Sequence, residues 1–259
     1  MSLKMRLVRI VGLFGVLAFA GFMLPNLGPG DPGTYEGVAS PATTSLPVPS
    51  QHLPSSTSAP GLPPGFPSML FPPPEVEVAE GDPIPINTKF GVSYTVPGDW
   101  RNSSRGVTGW NTDFGSVVYG GVAMYDYDYC PEHRDGATKA LTGMTGRNGV
   151  DIPTAAFEAS RDAEIIFRSK PGDDVVIEYS EPVDFEIDGA PAVRYSAQIS
   201  NMTQKFDCDP VEATFDVVAT EGFSNATVAV FMVQTDRRVE GALSETEVEQ
   251  IISTLRREQ

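Results

Sequence analysis

The residue types that carry most enzyme chemistry are scarce here: two cysteines, two histidines and two tryptophans in 259 residues. Neither Cys130 nor Cys208 sits in a C-x-x-C, which disfavours redox catalysis. His52 falls in a proline-rich stretch, and His133 in CPEHRD reads as an exposed loop residue rather than a base. No H-E-x-x-H, G-x-S-x-G, Walker or Rossmann glycine pattern is present. No catalytic residue and no cofactor are therefore expected. Carboxylates abound, and a pair of them acting as a cell-wall hydrolase is the least favoured reading.

Positive charge is the next shortage. Lys and Arg number 18 against 34 acidic residues, for a net charge of -16. Such a surface repels phosphate backbones and anionic headgroups, so nucleic acid is excluded as an expected partner. Basic residues are also unevenly placed: Lys4, Arg6 and Arg9 precede the apolar run Ile10–Leu24, and none follows until Lys89. That asymmetry marks an export signal with its basic end inside.

Two outcomes fit the run. Ala18-Phe19-Ala20 permits cleavage near Ala20 and secretion. As an uncut anchor, Leu7–Leu24 spans about 27 Å as helix, slightly under a hydrocarbon core of roughly 30 Å. Arg9 can snorkel inward and Pro25 can end the helix. The anchor is preferred, because cleavage leaves Gly21-Phe22-Met23-Leu24 as an apolar start. The chain is then divided into a cytoplasmic basic N-terminus (1–9), a transmembrane anchor or uncleaved signal (10–24), a disordered Pro/Ser/Thr-rich linker (25–87) and an extracytoplasmic domain (88–259). The expected location is the cell membrane, single-pass, with the domain outside.

About two thirds of the 23 prolines lie before Lys89, a linker composition. This stretch has no apolar period and cannot offset its ordering entropy. One island stands out, Met69-Leu70-Phe71 followed by Pro72-Pro73-Pro74: a stray cluster, or a docking motif for an aromatic groove. Glu75, Glu77, Glu80 and Asp82 form an acidic collar after it.

In the remaining part, Phe90, Val92, Tyr94 and Val96 alternate as a strand stopped by Pro97-Gly98, with Trp100 as a core plug. Residues 102–115 read as a polar loop. Val117–Tyr129 reads as a strand with a bulge at Gly120-Gly121; on it Tyr125, Tyr127 and Tyr129 share one face, Asp126 and Asp128 the other. The stretch to Val150 reads as irregular, with a helical turn near 137–141. Asp151 caps a helix carrying Pro153 in its first turn and Ala155, Ala156, Ala159 and Ala163 on one face. Strands follow at 175–179, 183–187 and 192–199, the last two joined by Asp188-Gly189. Glu212–Thr220 and Thr227–Gln234 are a further pair. Ser244 and Glu247 form a capping box, with Leu243 and Val248 as the staple, for a terminal helix. The fold class is α+β, an antiparallel sheet flanked by helices.

In an exported chain the even cysteine count suggests a Cys130–Cys208 disulfide. That bridge gathers Asp126, Asp128, Asp207 and Asp209 around it. A hard cation would relieve their repulsion, which makes the four a candidate calcium site; a solvated acidic loop is the plainer alternative.

FGVSYTVPGDW at 90–100 resembles the opening strand of the Mog1/PsbP-like fold, and FEIDGAPAVRYSAQI resembles its central hairpin. The closing strand pair and IISTLR complete a pattern similar to actinobacterial envelope proteins of the LpqN/LpqT type. The resemblance implies an α/β/α sandwich and a non-enzymatic binding or accessory role at the envelope, toward a protein, glycan or lipid. It offers no catalytic motif, and this chain lacks the lipid-attachment Cys of that type. The expected function is thus an envelope-tethered binding module of unknown ligand, with an accessory subunit of a membrane complex as the alternative.

Overall fold

The computed structural model describes residues 76–133, 136–168, 170–223 and 225–257. The expected anchor at 10–24, most of the expected linker, His52 and the Met69–Pro74 island lie outside the described residues. Among those described, no helix is long and apolar enough to cross a membrane.

The strands are β1 (Gly81–Asn87), β2 (Val92–Gly98), β3 (Arg101–Thr112), β4 (Gly115–Tyr125), β5 (Ala140–Arg147), β6 (Val176–Tyr179), β7 (Val183–Ile187), β8 (Ala190–Ser200), β9 (Glu212–Glu221), β10 (Val228–Arg237) and β11 (Arg256–Arg257). Among the described residues three helices are interspersed: α1 (Ile152–Ser160), α2 (Asp162–Phe167) and α3 (Glu245–Ser253). Eight strands form one antiparallel sheet in the order β3-β4-β5-β10-β9-β8-β6. β7 shares the outer edge of β8 with β6, pairing residues 190–194 while β6 pairs 197–200. A smaller sheet runs β1-β2-β11.

The centre is β10, apolar on both faces. Val228, Val230 and Met232 face a core shared with Ala155, Ala156 and Ala159 of α1 and Phe167 of α2. Ala229, Phe231 and Val233 face a second core, shared with Tyr94 and Val96 of β2 and with Val248, Ile251 and Ile252 of α3. A strand covered on both sides reads as a continuous apolar run. The sheet is therefore the middle of three layers, with α1 and α2 on one side and the small sheet plus α3 on the other. The expected antiparallel α+β architecture holds, but half of the second outer layer is a sheet rather than helix.

Tyr94 ties the layers together. Its ring lies 4.7 Å from that of Phe231. Its hydroxyl donates to Gly121 O at 2.6 Å and lies 2.9 Å from Thr142 Oγ1. Arg194 of β8 pairs with Asp216 of β9 at 2.7 Å and with Glu249 of α3, pinning that helix to the sheet.

Several local readings hold. Asp151 accepts from Thr154 N at 2.8 Å and caps α1; the helical period then breaks at Arg161 into two helices. Asp188 and Gly189 both have positive φ, as a two-residue type I′ hairpin needs. The register between β4 and β5 shifts at Gly120.

Others are corrected. Residues 102–112 belong to a long edge strand rather than a loop, and 140–147 form a central strand rather than an irregular stretch. β5 hides its period because it needs glycine: a Cβ on Gly146 would lie 2.6 Å from Ala226 Cβ and from the Phe90 ring. β1 lies within the stretch read as linker, its prolines tolerated because it is an edge strand. β4 ends at Tyr125, and Asp126 and Asp128 adopt positive φ, so the alternating Tyr and Asp faces do not form.

The Ser244–Glu247 capping box is complete, and Leu243 and Val248 are buried in one core. Ser244→Ala is expected to cost about 1 kcal/mol, read as a lower urea midpoint with an unchanged slope.

Candidate functional site

A groove of about 350 Å³ lies between the small sheet and α3. β2 ends at Pro97-Gly98, where the Trp100 amide donates to Pro97 O at 3.2 Å. This turn sets the Trp100 indole into the groove floor, against the ring of Tyr125 from the end of β4, 5.6 Å away. Pro83, Val96 and Pro97 add an apolar rim, and Leu243 and Ile251 back it. The facing wall is α3, through Glu247, Gln250 and Thr254. Thr254 fixes the width: its hydroxyl accepts from Thr95 N at 2.9 Å and lies 3.1 Å from Thr95 O.

Two features give the groove chemical character. Trp100 is 4 % exposed, and its Nε1 is buried with no hydrogen-bond partner among the described residues. An unpaired buried donor is costly. The rim is acidic, from Asp99 and Glu247. Hydrogen bonds from Ser244 hold the Glu247 carboxyl below its ordinary value, so it is charged at neutral pH.

A second cluster surrounds the bridge between Cys130 and Cys208. His133 Nε2 pairs with Asp209 Oδ1 and sits edge-on to Phe206. Asp209 Oδ2 accepts from the Lys205 and Phe206 amides at 2.7 and 3.0 Å. Burial pushes the Asp209 carboxyl up, but the His133 and amide hydrogen bonds outweigh it and hold the group below its ordinary value. Tyr129 donates to Asp236 Oδ2 at 3.0 Å and contacts Cys208 O at 3.2 Å. Burial drives the Asp236 carboxyl up to about 7, aided by Asp209 and opposed by the Tyr129 hydroxyl and His133. Burial likewise raises the Tyr129 phenol, with Asp236 adding to it. His133 is thus a clasp on the Cys208 loop rather than a free loop residue.

The four carboxylates singled out with calcium in view have different partners. Asp126 pairs with Lys139 at 2.6 Å, Asp209 is engaged as above, and Asp207 is exposed. Asp128 sits in a tight turn, its amide donating to Ala137 O at 2.7 Å. Among the described residues, the groups with ligand atoms within 4.8 Å of one another are Cys130–His133–Asp209 and Cys130–Glu132–Cys208. Neither contains more than one of the four, and the bridge consumes the sulfurs of both.

Trp100 was legible only as a core residue, and Tyr125 only as a face of a strand. The groove joins residues from 83 to 254, and no local pattern announces it.

A central antiparallel sheet between a helical layer and a mixed layer, with an aromatic groove at its margin, defines an α+β sandwich domain with a ligand-sized surface cleft. The chain belongs to the family described as a domain of unknown function (DUF8017), whose profile matches residues 77–259. No curated protein matches it. Among solved structures, the solution structure of cyanobacterial PsbP (CyanoP) from Synechocystis sp. PCC 6803 is similar, with 10% identity and a TM-score of 0.36 over 70% of this chain and 95% of that one. A likeness at that level carries no argument about activity or partners.

Asp236 yields a pH prediction. Its folded value near 7 lies above an unfolded value of about 3.9. The stability it contributes is full below pH 4 and is lost as pH rises through 7. Asp236→Asn keeps the acceptor for Tyr129 and removes the titration. Between pH 5 and pH 8 the wild type should lose about 2–3 kcal/mol more than the variant, measured by urea unfolding at both pH values.

Proposed function

We propose that this chain is a non-enzymatic, envelope-tethered extracytoplasmic module that binds an extended, proline-containing peptide segment of a partner in the Trp100–Tyr125 groove. The observation that carries the reading is the groove itself, lined by the Trp100 and Tyr125 rings and rimmed by Pro83 and Pro97. A polyproline II segment has unpaired carbonyls and flat apolar rings, and it docks on aromatic-lined grooves at low entropic cost. The acidic rim favours a segment that also carries Lys or Arg.

The basic N-terminus, apolar run and proline-rich stretch support the address: a single-pass anchor, or a cleaved leader, with the domain outside. The resemblance to envelope proteins of the LpqN/LpqT type supports the same assignment. An accessory subunit of a membrane complex is the variant of this reading in which the bound segment belongs to a resident neighbour. A hydrolase draws support from the split carboxylates Asp209 and Asp236. Yet Asp236 is buried and its carboxyl accepts from Tyr129, which favours a structural role for it over that of a substrate-facing acid.

The test is a titration of the ¹⁵N-labelled full chain with a Pro-rich hexapeptide ending in Arg. The Trp100 indole resonance should move with saturation at or below millimolar peptide, and Tyr125→Ala should weaken binding at least tenfold. An unmoved Trp100 indole signal in the wild type and in every variant would overturn the proposal.

A further inference from the structure

We propose that the Cys130–Cys208 bridge, once reduced, becomes a metal centre: Cys130, Cys208, His133 and Asp209 take up a divalent cation of the zinc class, which then holds the Cys208 loop in place of the bridge.

Two tight turns, whose cysteines lie 78 residues apart in sequence, converge on one point. In the first, Cys130-Pro131-Glu132-His133, the His133 amide donates to Cys130 O at 3.1 Å and folds the imidazole back toward the sulfur. Two residues between a thiol and the next donor is a spacing that zinc sites use. In the second, the Asp209 amide donates to Phe206 O at 3.0 Å, and Gln204 Nε2 donates to Asp209 O at 2.7 Å. Each turn thus presents one sulfur and one lighter donor. The Cys130 sulfur, a His133 ring nitrogen and an Asp209 oxygen all lie within 4.8 Å of one another, and the Cys208 sulfur is bonded to that of Cys130. Tetrahedral zinc bonds of about 2.0–2.3 Å place neighbouring ligand atoms roughly 3.3–3.8 Å apart, a spacing that side-chain rotation reaches from here.

The outer shell is already in place. Asp209 Oδ2 is held by the Lys205 and Phe206 amides at 2.7 and 3.0 Å, which turns Oδ1 toward His133; fixed partners of this kind orient a ligating carboxylate. Electrostatics also favours a cation. Glu132 Oε2 lies 3.2 Å from Cys208 Sγ and 3.8 Å from Cys130 Sγ, and bridged sulfurs carry no proton to share with it. Thiolates there would face Glu132 and Asp209 as like charges, in a chain of net charge -16. A divalent cation turns that repulsion into attraction, and sulfur and imidazole donors select a zinc-class ion over calcium.

The chemistry balances. A dithiol passes two electrons and two protons to the bridge: the S–S bond breaks, each sulfur gains a proton, and the dithiol closes to its own disulfide. The cation then forms two metal–sulfur bonds and releases both protons to solvent. His133 Nε2, with the ring proton on Nδ1, and Asp209 Oδ1 each contribute a lone pair. Bridge and metal are mutually exclusive clasps on one loop.

The experiment uses the full chain, reduced with a phosphine, desalted without air and titrated with Co²⁺. One equivalent should produce a sulfur-to-cobalt charge-transfer band and the strong visible absorption of tetrahedral cobalt, and Zn²⁺ should bleach both. The oxidised chain should show neither. His133→Gln and Asp209→Asn should each weaken cobalt binding roughly tenfold or more, while Glu132→Gln leaves the spectrum unchanged. Where reduction loosens the fold, Zn²⁺ should restore the thermal transition. A reduced wild type without the charge-transfer band would overturn the proposal, and so would a band that His133→Gln leaves intact, the mark of two free thiolates only. Weakening by Glu132→Gln with none by Asp209→Asn would overturn the donor set.

Discussion

β10 imposes the constraint from which the architecture follows. Its residues are apolar on both faces, with Phe231 on one and Met232 on the other fully buried. A sheet centred on such a strand must be covered twice. One cover is helical, built on the small-residue face of α1, where Ala155, Ala156 and Ala159 allow close approach. The other is composite, because β1, β2 and β11 together do not span the sheet and α3 completes the layer. A composite cover leaves a seam. The Trp100–Tyr125 groove is that seam, and it exists because two unlike elements meet over one core.

The opposite end of the chain's logic is electrostatic. The loop holding Cys208 is attached to the rest of the sandwich by a disulfide, a His133–Asp209 clasp and the Tyr129–Asp236 hydrogen bond. Burying two carboxylates near each other divides their proton affinities: Asp209, with three donors, stays charged, while Asp236, with one phenol, is pushed toward neutrality. Such a split resembles that of a catalytic pair, but here both acids are occupied by structural donors. The same pairing of acid with donor runs through the acidic cluster around the bridge. Lys139 and His133 answer the charges of Asp126 and Asp209 one by one.

Much of the fold was legible where local chemistry and the final structure agree. Asp151 with Pro153, Asp188-Gly189, and Ser244 with Glu247 each satisfy backbone groups within a few residues, so their roles do not depend on distant partners. The disulfide followed from an even cysteine count and an inferred address. β3 and β5 were not legible. RNSSRGVTGWNT is polar because it forms a sheet edge. ALTGMTGR carries glycines because Tyr119 of the adjacent strand and Phe90 just before β2 press on it, and a strand shaped by contacts distant in sequence shows no period of its own. The groove was hidden for the same reason: Trp100, Tyr125 and Gln250 are neighbours only after folding.

The central proposal is that the seam holds an extended peptide in the living cell. It is tested most directly by a photo-crosslinking amino acid at Gln250, on the groove wall, activated in intact cells and compared with one at exposed Val118. The account predicts an adduct at 250 that mass spectrometry maps to a proline-containing segment of a partner, and none at 118. No adduct at 250, or the same adducts at both positions, would contradict it.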